Sequence, residues 1–416
     1  MTHRDTNSLL DIMRREWAGD TYGVYARLRA GGPIHWDPLL RSWIVLGHRE
    51  IVDLSRDNRL SGARISEFYE QLPAASKSDM KPLAEALSDM MLFNEPPRHE
   101  RLRGMMKPVL TPRFVRQMRP AIQGIATALL NRLADAGEMD VIADYARPLS
   151  RDVIALLAGV PADARHLLDD WRGLLHEFFT QSTAEHGRIE SLRAVFQQGL
   201  AQRRAGADGD LLEQLMAARK AGAAFTDDEI IANLLLLIDA GQATTTHLIG
   251  NAVLALMAHP DQADLLRDQP ELLPGAVHEF LRYDSSVQFT TRIALADLEY
   301  GGHRIRRGDS VTLVLGAGNR DPRHYSDPDS LLVTRRAGDH LSFGHGIHYC
   351  LGAALSLVEI EAAIGTLLAR TRQWRLLDEN PPWLDSINFR FLTALPISFS
   401  PAAGRATELQ EVTRDG

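Results

Sequence analysis

The 416-residue chain has one cysteine, Cys350, set in Phe343-Gly344-His345-Gly346-Ile347-His348-Tyr349-Cys350-Leu351-Gly352. A single thiol has no intramolecular disulfide partner. Glycines at 344, 346 and 352 let the backbone approach something flat and bulky, which a loop of β-carbons would hold off. Beyond Cys350, Ala353 to Ile360 opens an amphipathic helix, so the free N–H groups of its first turn point back at the sulfur. Those donors and the helix dipole favour thiolate over thiol. A thiolate under a glycine-relieved surface is what the axial position of a haem iron requires.

The pattern Phe343, Gly346, His348, Cys350, Gly352 resembles the cysteine loop of the cytochrome P450 family, the haem-thiolate monooxygenases, and of its soluble bacterial branch in particular. The resemblance implies a mainly α fold with small peripheral β-sheets and haem b (iron protoporphyrin IX) held between two long helices. Cys350 is the implied iron ligand. Four cations match the positions that hold the two haem propionates: His99 and Arg103 in Pro96-Pro97-Arg98-His99-Glu100-Arg101-Leu102-Arg103, Arg292 at a strand start, and His348 beside the cysteine. Buried carboxylates need such partners. Phe343, Gly344, Ala240 and Gly241 complete the implied haem contacts.

The elements that must position these groups read as mostly helical. Apolar residues recur at three- and four-residue spacing over 120–160, 162–203, 209–221 and 227–258, with Gly or Pro between. Strand-like pieces are Ile34 to Leu46, Thr290 to Ala294, Ser310 to Leu315 and Thr393 to Phe399. The longest helix opens with Thr226-Asp227-Asp228-Glu229, a capping box, and runs to Ala258 before Pro260 stops it. At 1.5 Å per residue it spans roughly 48 Å, enough to cross a large domain. Its middle, Leu234 to Ile238, is apolar on every side and therefore buried.

There follows Asp239-Ala240-Gly241-Gln242-Ala243-Thr244-Thr245-Thr246, where small residues loosen the helix and hydroxyls divert backbone hydrogen bonds. In the family this segment opens a groove for dioxygen, and its threonine, matched here by Thr244, helps deliver protons. The chain departs from the family pattern Ala-Gly-x-acid-Thr by placing Ala243 where the acid belongs. Asp239 stands one turn back and about 40° around the helix, and is expected to face the distal pocket and bind a basic or N–H group of the substrate. An internal partner for its carboxylate, or service as the missing relay acid, are the competing readings. Glu279 and Arg282, one turn apart, suit a buried ion pair with Arg335 as third member.

Position within the family pattern gives the substrate candidates Met91, Leu92, Phe178, Phe179, Leu236, Asp239, Val287, Gln288, Phe289, Thr290, Asn388 and Phe389. They are mostly apolar with a few polar groups, which implies a medium-sized lipophilic substrate with one or two heteroatoms. The reading is a monooxygenase that tailors a natural product. Oxidative C–C or C–N coupling by the same haem would demand less of the relay that Ala243 interrupts. A haem sensor without turnover has no use for Thr244.

Composition is 45% hydrophobic and 24% charged, enough for a large core, and no Pro/Gly/Ser linker divides the chain. One domain over 1–400 with a frayed tail over 401–416 is expected. The polar start Met1-Thr2-His3-Arg4-Asp5 predicts no signal peptide or membrane anchor and so a cytoplasmic protein, with the oligomeric state left open and a monomer expected. A net charge of −8 argues against nucleic acid as partner. Against that background Arg98, Arg101, Arg103, Lys107, Arg113, Arg116 and Arg119 form a basic stretch with Glu100 the lone acid, which points to a small acidic electron donor of the ferredoxin type, besides substrate and O2.

Overall fold

The computed structural model describes residues 8–13, 20–107, 110–133, 135–169, 178, 186–202, 209–220 and 225–402. Helices dominate. The long helix Asp227–Ala258 has the bounds its sequence predicts: Thr226 Oγ1 accepts from Glu229 N (3.1 Å), and Glu229 Oε2 accepts from Thr226 N (3.3 Å). Its end is the turn at His259, where Pro260 starts the next helix. Leu234 to Ile238 are all buried, and the helix packs on Arg147–Ala158 and on the cysteine helix Ala353–Arg370. The cysteine helix lies in turn along Pro112–Leu133.

Glu229 does more than cap. Arg101 Nη1 donates to its Oε2 (2.8 Å) and Nη2 reaches Oε1, so the start of the long helix is clamped to the helix Arg98–Met106. The Arg101 hydrogen bond, opposed by burial and aided by the Thr226 amide, holds the Glu229 carboxyl down at about 2.

Small sheets flank the helices. The largest joins β1 (Ile34–Asp37), β2 (Ser42–Val45), β3 (Leu60–Ser61), β5 (Thr290–Ala294) and β8 (Ser310–Leu313) in the order β1-β2-β8-β5-β3, with only β2 and β8 parallel. The others are β4-β10-β9 (Glu138–Asp140, Pro396–Pro401, Thr371–Leu376) and the hairpin β6-β7 (Leu298–Tyr300, His303–Ile305).

Several sequence spans divide. The stretch 120–160 breaks after Leu133, turns at Gly137 (φ +67°), adds β4, and resumes as a π-helical turn Val141–Ala146 leading into Arg147–Ala158. Over 162–203 the described parts are a 3-10 helix, Ala162–Leu168, and the helix His186–Gln202. Pro401, expected in the tail, pairs with Thr371 in β10.

The loop feeding the cysteine hangs on one buried charge pair. Arg282 Nε donates to Glu279 Oε2 (2.7 Å) and Nη2 to Oε1 (2.9 Å), both side chains being fully buried. Arg335 Nε joins at 3.1 Å from Glu279 Oε1. Arg282 also donates to the carbonyls of Asn319 (3.0 Å), Pro328 (2.7 Å) and Ser330 (3.0 Å). Removing the acid leaves a buried, uncompensated guanidinium. Glu279→Ala is expected to cost about 3–5 kcal/mol and to lower haem retention; denaturant unfolding with the Soret-to-protein absorbance ratio measures both, and an unchanged midpoint would refute the assignment.

Candidate functional site

The thiol of Cys350 lies on the wall of a mostly apolar cavity of about 360 Å³. Its loop is shaped by short-range bonds: Cys350 N donates to Phe343 O (2.8 Å), Tyr349 N to Gly346 O (3.1 Å) and Gly344 N to Leu341 O (2.8 Å). Gly344 (φ +69°) and Gly346 (φ +76°) adopt left-handed backbone that β-carbons resist. The close approach at Gly346 is not to the cavity: a Cβ there would collide with the carbonyl oxygen of Ser55, so this glycine seats the loop on the helix His48–Ser55. Enclosure pushes the Cys350 thiol up, and the Gly352 amide, Arg103 and the Ala353 amide oppose that shift without cancelling it. Burial and the local donors thus act on the thiol in opposite directions.

The opposite character is supplied by the long helix, which stays continuous through Thr246. Leu236, Ala240, Gly241 and Thr244 line the cavity, and Thr244 Oγ1 donates to Ala240 O (2.7 Å). Asp239 does not line it. At about 100° per residue the lining positions fill half the helix circumference, and Asp239 lies about 150° from the middle of that stripe. The residue is half-buried and has an interaction partner of its own.

All four cations expected to meet propionates reach this cavity. His99 is buried, and burial with the charges of His348 and Arg103 holds its ring down at about 4. Arg292 is buried at the start of β5, with Nη1 on Thr290 Oγ1 (2.8 Å) and Thr291 O (3.0 Å), and burial lowers it. Arg103 Nη2 holds Tyr349 O (2.7 Å). His348 Nε2 stands 3.6 Å from Glu95 Oε1, beyond hydrogen-bond length. Burial raises Glu95, but His348, the Gly62 amide and the Ser61 hydroxyl together hold it at about 2.

Two buried ring nitrogens, His99 Nδ1 and His348 Nε2, have no hydrogen-bond partner. Unmet buried ring nitrogens beside the buried Arg292 and half-buried Arg103, on a cavity walled by one thiol, fit a flat group that carries a soft-ligated metal and two carboxylates. The residues present fit haem.

Among the substrate candidates, Met91, Leu92, Leu236, Val287 and Thr290 line the cavity. Six described ones do not: Asp239, placed above, and five more. Phe178 is core, packed on Phe68 at 5.1 Å. Gln288 is buried, accepting from Tyr25 OH (2.8 Å) and donating to Ser285 O (2.6 Å). Phe289 packs into the cluster around Leu9 and Tyr25. The Asn388 backbone carbonyl accepts from Gln288 N (2.8 Å) while its buried side-chain Oδ1 has no hydrogen-bond partner, and Phe389 stacks on Phe391 at 4.7 Å. Phe179 lies outside the described residues.

Two lining residues escaped the sequence. Arg64 follows β3, whose antiparallel register with β5 brings it near Arg292, with Nη1 3.3 Å from Thr291 O; burial and Arg292 lower it to about 10. Glu359, on the cysteine helix, accepts from Ser150 Oγ (2.6 Å), and burial raises it to about 7. The basic stretch is also less charged than it reads: Arg98 pairs with Asp89, Arg101 with Glu229 and Arg119 with Glu361.

The comparisons agree with this geometry. The cytochrome P450 family model matches residues 166–393. The biotin biosynthesis cytochrome P450 of Bacillus subtilis (strain 168) is 36% identical over 392 residues, covering 92% of this chain and 97% of its own. The structure of P450BioI in complex with a hexadec-9Z-enoic acid ligated acyl carrier protein superposes with a TM-score of 0.83 at 34% identity, covering 92% of this chain and 99% of that one. CxnD, a cytochrome P450 for C–S bond formation in chuangxinmycin biosynthesis, gives 0.81 at 32% identity, covering 96% and 100%. The fold and the site are those of a haem-thiolate oxidoreductase, and the chain belongs to the cytochrome P450 family. It is a haem monooxygenase that takes a small-molecule substrate, O2 and electrons from a redox partner. Among the described residues no helix is long and apolar enough to cross a membrane.

Proposed function

We propose that Cys350 ligates haem b and that the chain, as a monomer, hydroxylates a medium-sized lipophilic molecule in the tailoring of a natural product. The observation that carries this is the joint presence of the Cys350 thiol and the Thr244 hydroxyl on one apolar cavity. When bound, haem supplies the redox-active iron at which dioxygen is activated. One oxygen atom enters a C–H bond of the substrate and the other leaves as water, with two electrons from the partner and two protons.

The chain's own residues orient and protonate. Met91, Leu92, Leu236 and Val287 present the apolar wall against which substrate desolvates, and the Thr290 hydroxyl offers a single polar contact. With Asp239 turned away, the basic-nitrogen reading of the substrate loses its support. His99, Arg103, Arg292 and His348 would hold the propionates. The Thr244 hydroxyl already donates to Ala240 O (2.7 Å), so its lone pairs are what it offers the cavity. It accepts a hydrogen bond from water there, and passes a proton on only by releasing the carbonyl. Oxidative coupling remains the second reading, favoured by Ala243 in place of the acid.

For the electron donor the reading is a ferredoxin. Lys107, Arg113 and Arg116 are exposed and in no ion pair among the described residues. They are the part of the basic stretch left to attract an acidic partner.

Reduced protein with carbon monoxide is expected to show the strongly red-shifted Soret band of thiolate ligation, and Cys350→Ala to lose it; a variant spectrum identical to the parent's ends the assignment. Thr244→Ala is expected to raise peroxide released per reductant several-fold, measured with substrate saturating. Wild-type coupling in that variant would favour the coupling reading. Charge reversal at Lys107, Arg113 and Arg116 is expected to slow stopped-flow reduction by ferredoxin about tenfold at low salt, with the difference fading as ionic strength rises and the Debye length shortens. A rate flat in salt for both proteins would remove the charge-steered donor.

A further inference from the structure

Away from the haem cavity, three side chains from distant parts of the chain meet at the back of the cysteine loop. His48 is the first residue of the helix His48–Ser55, His324 follows Asp321-Pro322-Arg323, and Asp339 stands four residues before Phe343. One donor atom from each lies within 4.8 Å of the other two. His324 Nε2 is 2.6 Å from Asp339 Oδ2, and His48 Nε2 is 3.1 Å from Asp339 O. The two imidazoles stack with centroids 3.6 Å apart and planes 6° from parallel.

From this cluster we propose a divalent transition-metal site, of the zinc type, built by His48, His324 and Asp339. Two imidazoles and a carboxylate are the donor set that Zn²⁺ takes, at about 2.0–2.2 Å per ligand. Tetrahedral donors at that reach stand about 3.4 Å apart, so separations of up to 4.8 Å close by as much as about 1.4 Å, His324 Nε2 and Asp339 Oδ2 open from 2.6 Å, and the ring stack has to splay. The exposed partners allow this. His324 and Asp339 lie at the surface with side chains 35% and 56% exposed, while buried His48 gives the fixed edge.

Arg56 lines the same cleft and opposes a cation there, and two contacts act the other way. Tyr325 OH donates to Asp339 Oδ1 (3.0 Å) and fixes the carboxylate from its far side, the supporting contact metal ligands use. The nearest guanidinium in sequence, Arg323, is occupied by Asp321 (2.7 Å) and Glu50 (2.8 Å).

Its place gives it a consequence. His48, Asp339, His345, Gly346 and Tyr349 line one surface cleft, so a bound ion ties the helix under Gly346 to the segment leading into the cysteine loop. Metal occupancy then stiffens the loop from outside the haem cavity.

The test titrates Zn²⁺ by calorimetry into untagged, haem-loaded protein pretreated with chelator, at neutral pH. One saturable equivalent is expected, with a rise in melting temperature on its addition. His324→Ala and Asp339→Asn, both at the surface and both expected to keep the carbon monoxide spectrum of the parent, should weaken that equivalent at least tenfold and abolish the thermal shift. The chain has 15 histidines, so uptake elsewhere is the alternative. Absence of a saturable equivalent in the parent, or an equivalent unchanged in both variants, overturns the site.

Discussion

The geometry of the thiol depends on a charge pair that never touches it. Glu279 and Arg282 are stripped of water, and desolvating two ions costs several kcal/mol each unless every donor and lone pair finds a partner. Here each does. The guanidinium reaches three backbone carbonyls besides the carboxylate, and the carboxylate takes Arg335 and the Leu332 amide (3.0 Å) as well. Asn319, whose carbonyl Arg282 holds, then passes the constraint on. Its side chain accepts from Leu341 N (2.6 Å) and donates to Ser342 Oγ (2.8 Å), and Ser342 Oγ donates to Leu281 O (2.6 Å). Phe343, whose carbonyl accepts from Cys350 N, is the next residue. A satisfied buried ion pair is thereby a positional reference for the cysteine loop, which its modest net energy would not suggest.

The distal wall is referenced in a different way. Glu229 closes the capping box and accepts Arg101 from the helix that carries His99 and Arg103. One carboxylate thus fixes the long helix relative to two of the four candidate propionate partners. Asn233, a turn further on, accepts from Met91 N (2.9 Å) and donates to Asp89 O (3.0 Å), adding the segment that presents Met91 and Leu92. Oxygen-side and carboxylate-side groups share a frame at the start of one helix.

What sequence made legible was local. The cysteine loop, the Glu279–Arg282 spacing and the bounds of Asp227–Ala258 depend on residues within a few turns of one another, where capping and periodicity act. Helix phase was not legible at Asp239, because Leu234 to Ile238 are buried on every face and an all-apolar run carries no moment to orient the residue that follows. Arg64 was hidden for another reason. It reaches the cavity through the β3–β5 register, which joins Ser61 to Ile293 across more than half the chain. Gln288 was read as a ligand contact because a polar residue near a pocket looks alike whether it serves a substrate or, as here, Tyr25 and the Ser285 carbonyl. The basic stretch misled by the same distance effect, since the acids that neutralise Arg98, Arg101 and Arg119 come from other elements.

The thiol itself is where local chemistry and enclosure disagree, and enclosure wins. The Gly352 and Ala353 amides and Arg103 all favour the anion, yet the net shift of Cys350 is upward. Burial of the sulfur costs the anion more than the two amides and Arg103 return. Under the proposal that Cys350 is a metal ligand, the metal's positive charge would supply the rest, since a thiol must lose its proton to ligate. The same logic holds across the cavity, where burial depresses His99 to about 4 and lowers Arg292 until carboxylates arrive to compensate them. The two ends of the site therefore suit charges of opposite sign, a cation at Cys350 and anions at His99 and Arg292. A group with an iron at its centre and carboxylates at its edge would compensate both together, so its binding would be coupled to the ionisation of the site.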